Sequence, residues 1–149
     1  MSLWLLTPEH LSPINDPDWK VIEEYLTQLD GQKRSIVTLR RKAMGELIVG
    51  GGNLIDNEVL YHVGYSYIVD DDLEREEEEE EIEPVYDGDR IFHLIDPSKS
   101  GTKEVMIKIS QLSNLPENMC VDKQMMLNAV KYFYKYEKLH PKLNWIEAS

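Results

Sequence analysis

The densest set of reactive side chains in this sequence is a run of acid. Eleven carboxylates lie between Asp70 and Glu83 against one base, Arg75, a net of −10 within a chain of −12. Asp70, Asp71, Asp72, Glu74, Glu76, Glu77, Glu78, Glu79, Glu80 and Glu81 supply most of it. The rest of the chain holds 17 acids and 15 bases, so it is nearly neutral. Carboxylates at this density can hold a cation, perturb one another for acid–base work, or attract a basic surface. A calcium loop alternates its ligands and needs a glycine for its sharp turn. The six consecutive glutamates of residues 76–81 supply neither. Like charges in a row repel and stay solvated. A docking surface for a basic protein is the preferred functional reading, to be told apart from a cation site by salt and chelator sensitivity. Nucleic acid is disfavoured as a direct partner, because its phosphates would be repelled.

The other candidate groups are sparse. His10, His62, His93 and His140 show no metal-ligand spacing, although His62 and His93 both fall in strand patterns and could be sheet neighbours. Cys120 has no CxxC companion and reads as a buried free thiol. Gly50, Gly51, Gly52 and Asn53 lack the Lys-Ser/Thr of a phosphate loop and precede another strand, so they read as a flexible or bulged connection. No nucleophile elbow and no HExxH motif is present. The expectation is therefore a protein without a catalytic set, a metal or a cofactor.

The elements that must position these residues follow from periodicity. Asp16 and Pro17 suit the start of a helix over residues 17–30, with Trp19, Ile22, Leu26 and Leu29 on one face and Gly31 as its stop. Strands are expected at residues 35–40 and 46–49, with a turn at 42–45 between them. The odd-numbered residues from Val59 to Val69 alternate strictly, which predicts a half-buried antiparallel strand. Two more strands, at 90–95 and 103–109, flank a turn-rich 96–101 and are expected to pair as a hairpin. Residues 113–118 read as loop and 119–121 as a short edge strand. Asp122 is placed to cap a helix over residues 123–138, ended by Leu139, His140 and Pro141. The tail carries Trp145 and Ile146 and is expected to dock. The sum is an α+β protein: a meandering antiparallel sheet of about five or six strands, with an N-terminal and a C-terminal helix packed on it. At 149 residues it is expected to be one domain, 1–149, with the acid as a loop insertion at 70–89. One cysteine, no 18-residue apolar run and no basic n-region point to the cytoplasm.

Several weak motifs then line up. A strand enters a glycine cluster at Leu47-Ile-Val-Gly-Gly-Gly-Asn53, and a long aromatic strand follows. A further strand ends in Asp96-Pro97, with Gly101 shortly after. Val121-Asp122, Ala129, Tyr132-Phe133, Pro141, Leu143 and Trp145 mark the C-terminal helix and tail. In these features, between about residues 36 and 145, the chain resembles immunity protein family one of bacterial polymorphic toxin systems. It departs from that pattern at Tyr136-Glu-Lys-Leu-His140, where the family often has a Thr-Gly-like turn, and in the length of its acidic insertion. The resemblance implies an α+β protein that binds and neutralises a cognate toxin, commonly a nuclease or nucleic-acid deaminase. The acidic run would then fill a basic active cleft, and Tyr65 and Tyr67 beside it are candidate aromatic anchors, with sheet packing as their other reading. A carboxylate- or metal-dependent enzyme and a non-catalytic acidic adaptor remain the alternatives.

Overall fold

The computed structural model describes residues 3–68, 86 and 88–148. A seven-stranded antiparallel sheet dominates it, in the order β2-β1-β3-β4-β5-β6-β9. The strands are β1 (Trp4–Pro8), β2 (Ile14–Asn15), β3 (Ile36–Arg41), β4 (Gly45–Ile55), β5 (Glu58–Tyr67), β6 (Arg90–Ile95) and β9 (Asn144–Glu147). A separate hairpin, β7 (Glu104–Ile109) with β8 (Gln111–Pro116), lies outside that sheet. Among the described residues two helices, α1 (Trp19–Thr27) and α2 (Lys123–Tyr136), accompany the strands, which makes the fold α+β.

One sheet face carries both helices. Ile22 and Leu26 of α1 and Met126, Ala129, Val130 and Phe133 of α2 close on Leu47, Val49, Val63, Tyr65 and Leu94 of the strands. Each large aliphatic buried this way contributes roughly 1.5–3 kcal/mol against leaving it in water. The hairpin covers part of the opposite face, where Val105 and Ile107 pack on Leu60 and Cys120. This is why β5 departs from the half-buried pattern. Residues 60–65 are buried on both faces, while Val59 at its start is exposed.

Other departures have local causes. Helix α1 is capped by Asp18, whose side chain accepts from Val21 N at 3.0 Å. Asp16 instead accepts from the Leu3 and Trp4 amides and closes the β1–β2 pair. The helix ends at Thr27, short of Gly31, which takes a left-handed φ of 70° in the turn after it. The glycine triplet lies inside β4, where the register with β5 shifts between Gly51 and Asn53, so it is a bulge within a strand. Strands β6 and β7 do not form a hairpin: β6 pairs with β5 and β9, and β7 pairs with β8. Residues 113–118, expected as loop, supply most of β8 and of a short 3-10 turn, Glu117–Met119. Of the expected edge strand only Val121 pairs, in a bridge to Tyr61. Asp122 does cap α2, accepting from Met125 N at 2.8 Å. That helix ends at Tyr136, two residues short of the expected 138, where Glu137 takes the left-handed conformation and ion-pairs with Arg41 at 2.7 Å. The tail docks as a strand, β9.

Candidate functional site

Asp70, Asp71, Asp72, Glu74 and Glu76 through Glu81 lie outside the described residues, as do Val69 and the remainder of 69–85. What the structure fixes is where that segment is rooted. It joins the end of β5 to the start of β6, two strands paired directly through Tyr67 and Arg90. The root is well packed. The Arg90 guanidinium stacks 4.9 Å from the Tyr86 ring centroid and pairs with Glu147 of β9. Tyr86 in turn contacts Tyr65, Tyr67 and Phe92.

Tyr65 and Tyr67 are core residues. Their exposures are 3% and 4%, on the helix-bearing face of β5. The Tyr65 hydroxyl donates to the Met44 carbonyl at 2.5 Å, and burial, with smaller contributions from Tyr86 and Tyr67, raises its pKa. Gly45 makes room for that ring: a Cβ there would lie 2.6 Å from it. Neither ring stands on the surface, so sheet packing describes them both.

The titratable pair that the structure does bring together is His62 and His93. They sit on neighbouring strands, on the face opposite Tyr65, with His93 Nδ1 3.1 Å from His62 Nε2. His62 Nδ1 lies 3.1 Å from the Met119 carbonyl, which can only accept, so that nitrogen carries a proton. Nε2 of His62 is then the acceptor, and Nδ1 of His93 the donor. His93 is left with an unprotonated Nε2. Burial pushes the His62 pKa down to about 4, against a smaller opposing effect of the Met119 bond, and burial also lowers that of His93. The side-by-side placement was readable from two strand histidines. The tautomers required the Met119 contact.

Cys120 is fully buried, and burial raises its thiol pKa to about 11. Among the described residues no three His, Cys, Asp or Glu side chains are grouped to hold a metal ion. No helix among them is long and apolar enough to cross a membrane.

One feature escaped the reading of single strands. Strand β6 is apolar on both faces: Phe92 and Leu94 join the helix-side core, while Ile91 and Ile95 alternate with them on the other side. A doubled apolar pattern is the signal for a strand covered twice, yet Ile91 is 44% exposed.

Compared with models of known protein families and with curated proteins, the chain matches none.

Proposed function

We propose that this chain is an immunity protein, which binds a cognate toxin domain one-to-one in the cytoplasm and blocks its basic cleft. The observation that carries this reading is the segregation of charge. Ten of the twelve net negative charges fall in one segment between β5 and β6, on an otherwise near-neutral body. A field concentrated in one place raises the encounter rate with a basic surface and orients the encounter. The fold class agrees with what the resemblance implies. The partner is therefore a basic protein domain, and a domain that acts on nucleic acid has such a cleft.

The test is co-expression. The toxic C-terminal domain encoded beside this chain's gene should kill cells alone and be tolerated when this chain is present. The purified pair should elute together, with association slowing as salt rises from 50 to 500 mM. Unabated killing, or no complex at low salt, overturns the proposal.

A further inference from the structure

The two strand histidines meet because a glycine lies between them. His93 stands directly opposite Gly64 in the β5–β6 register, and His62 is two residues before Gly64, on the same face of β5. With no side chain at Gly64, one ring reaches along the strand and the other across it. A Cβ built on Gly64 would lie 3.6 Å from His62 Nε2 and 3.7 Å from His93 Nδ1, with the Phe92 carbonyl oxygen next at 3.8 Å. The space that a side chain would take is therefore bordered by two imidazole nitrogens.

Three properties of the pair suit it to a metal ion. The first is distance. The two nitrogens are 3.1 Å apart, and two bonds of about 2.0–2.1 Å to one ion would span that gap at an angle of about 100°, between the square and tetrahedral values. The second is orientation. His62 Nδ1 donates to the Met119 carbonyl at 3.1 Å, which leaves the Nε2 lone pair turned toward His93. A ligating histidine ordinarily gives its other N–H to a carbonyl or carboxylate in this way. The third is charge state. Burial lowers both pKa values, so both rings are neutral at pH 7, and neutral imidazole is the ligating form.

We infer that His62 Nε2 and His93 Nδ1 form a two-histidine site for a late first-row divalent ion such as Zn²⁺, seated in the space over Gly64. Without metal, the proton on His93 Nδ1 fills the gap between the rings. On binding, that proton moves through solvent to Nε2 of the same ring and the ion takes its place, so both rings stay neutral. Imidazole nitrogen selects such an ion over Mg²⁺ and Ca²⁺, which take oxygen. Among the described residues no third His, Cys, Asp or Glu joins the pair, and water fills the remaining positions. An ion held by two nitrogens, beside a ring that is only half-buried, exchanges with solution, unlike one in a closed four-ligand site. While bound, it ties β5 to β6 and, through His62, to the Met119 segment that leads into α2. The inference does not depend on the immunity reading.

The experiment uses the full chain with Zn²⁺ alone as the probe and Mg²⁺ as the hard-ion control. Two-bond proton–nitrogen NMR spectra of the imidazole rings report each tautomer. His93 should carry its proton on Nδ1 without metal and on Nε2 with Zn²⁺, while His62 keeps its proton on Nδ1 throughout. Calorimetric titration should show one Zn²⁺ site whose affinity falls at least about 10-fold in His93→Ala. Thermal melting should rise by several degrees with Zn²⁺ in the wild type and not in that variant. Gly64→Ala keeps both rings and makes only ordinary contacts, so it should fold, yet its methyl takes the ion's place and should weaken binding as much. His10→Ala/His140→Ala should bind as the wild type does. A His93 tautomer unchanged by Zn²⁺ overturns the inference whether or not any variant folds. Equal affinity in the wild type and folded His93→Ala also overturns it and assigns the ion to carboxylates. Wild-type affinity in Gly64→Ala overturns the placement over Gly64.

Discussion

Nδ1 of His93 donates to Nε2 of His62 across 3.1 Å, and this one bond fixes the order in which the two rings take up protons. A first proton lands on His93 Nε2 and breaks nothing: the His93–His62 and His62–Met119 bonds both survive. A second must go to His62 Nε2. It would set two N–H groups facing each other at hydrogen-bond distance, next to a ring only 7% exposed. The pair therefore titrates in two coupled steps, one harmless and one disruptive.

The consequence is a loss of stability in mild acid. The His62 pKa falls from 6.5 in the unfolded chain to about 4 in the fold. Between those values the unfolded state holds more protons, so stability rises with pH across the window. It is complete above 6.5 and lost as pH falls toward 4. The full contribution is on the order of 3 kcal/mol. Urea unfolding at pH 7.5 and pH 4.5 measures it. The His62→Asn variant, whose side-chain amide can still donate to Met119, should lose stability less steeply over that interval than the wild type.

A second prediction concerns Ser35. Its hydroxyl is fully buried and donates to the Glu9 carboxylate, which lies 2.9 and 3.0 Å away, while accepting from the Ser110 amide at 3.0 Å. Ser110, at φ 65°, is the turn between β7 and β8, so this hydroxyl ties the hairpin to β3 and β1. Ser35→Ala leaves a nearly buried carboxylate and an amide short of a partner. The expected cost is about 1–3 kcal/mol, with amide exchange at Ser110 accelerating more than at Leu94 in the sheet interior.

These two sites mark where local pattern stops being informative. Both helices, β3 and β5 were legible because their apolar period is carried within a few residues. The α2 cap was legible too, since Asp122 directly precedes the helical run. Asp16 and Asp18 are both plausible caps two residues apart. The choice between them was made by the Leu3 and Trp4 amides, which take Asp16 for a different turn. Burial of the even face of β5 depends on a hairpin some 45 residues away in sequence. The strand identity of residues 111–116 depends on pairing with β7, since their own residues alternate poorly. That β6 is apolar on both sides went unread, although Ile91 and Ile95 alternate with Phe92 and Leu94 in its sequence. Nothing local distinguishes a second covering layer from an uncovered patch.

The third prediction separates two glycines. Gly52 sits at φ 90°, and a Cβ there would come 2.3 Å from the Leu29 carbonyl oxygen. Neither the backbone angle nor that contact can be relieved by turning a side chain. Gly52→Ala should cost more than about 2 kcal/mol and lower the soluble yield. Gly88, where a Cβ meets nothing within 4 Å among the described residues, should accept alanine within about 0.5 kcal/mol. Thermal melts of the two variants decide it; similar losses at both positions would mean that the bulge tolerates the extra atom.

The last prediction is that Cys120 is silent in the native state. Its side chain is fully buried beside Leu60 and Ile107, and its Sγ approaches the Pro116 carbonyl at 3.7 Å. Burial raises its pKa to about 11, with a smaller opposing effect from nearby Lys99, whose ammonium donates to the Cys120 carbonyl at 2.9 Å. At pH 8 the thiolate, which is the reactive form, is then about one part in a thousand of a group that reagent cannot reach. Labelling with an aromatic disulfide should therefore wait for opening of the hairpin layer. Its rate should rise steeply with urea, and Ser35→Ala, which loosens the same layer, should accelerate it at zero urea. Prompt stoichiometric labelling of the folded wild type would show that the β7–β8 hairpin does not hold its place on the sheet.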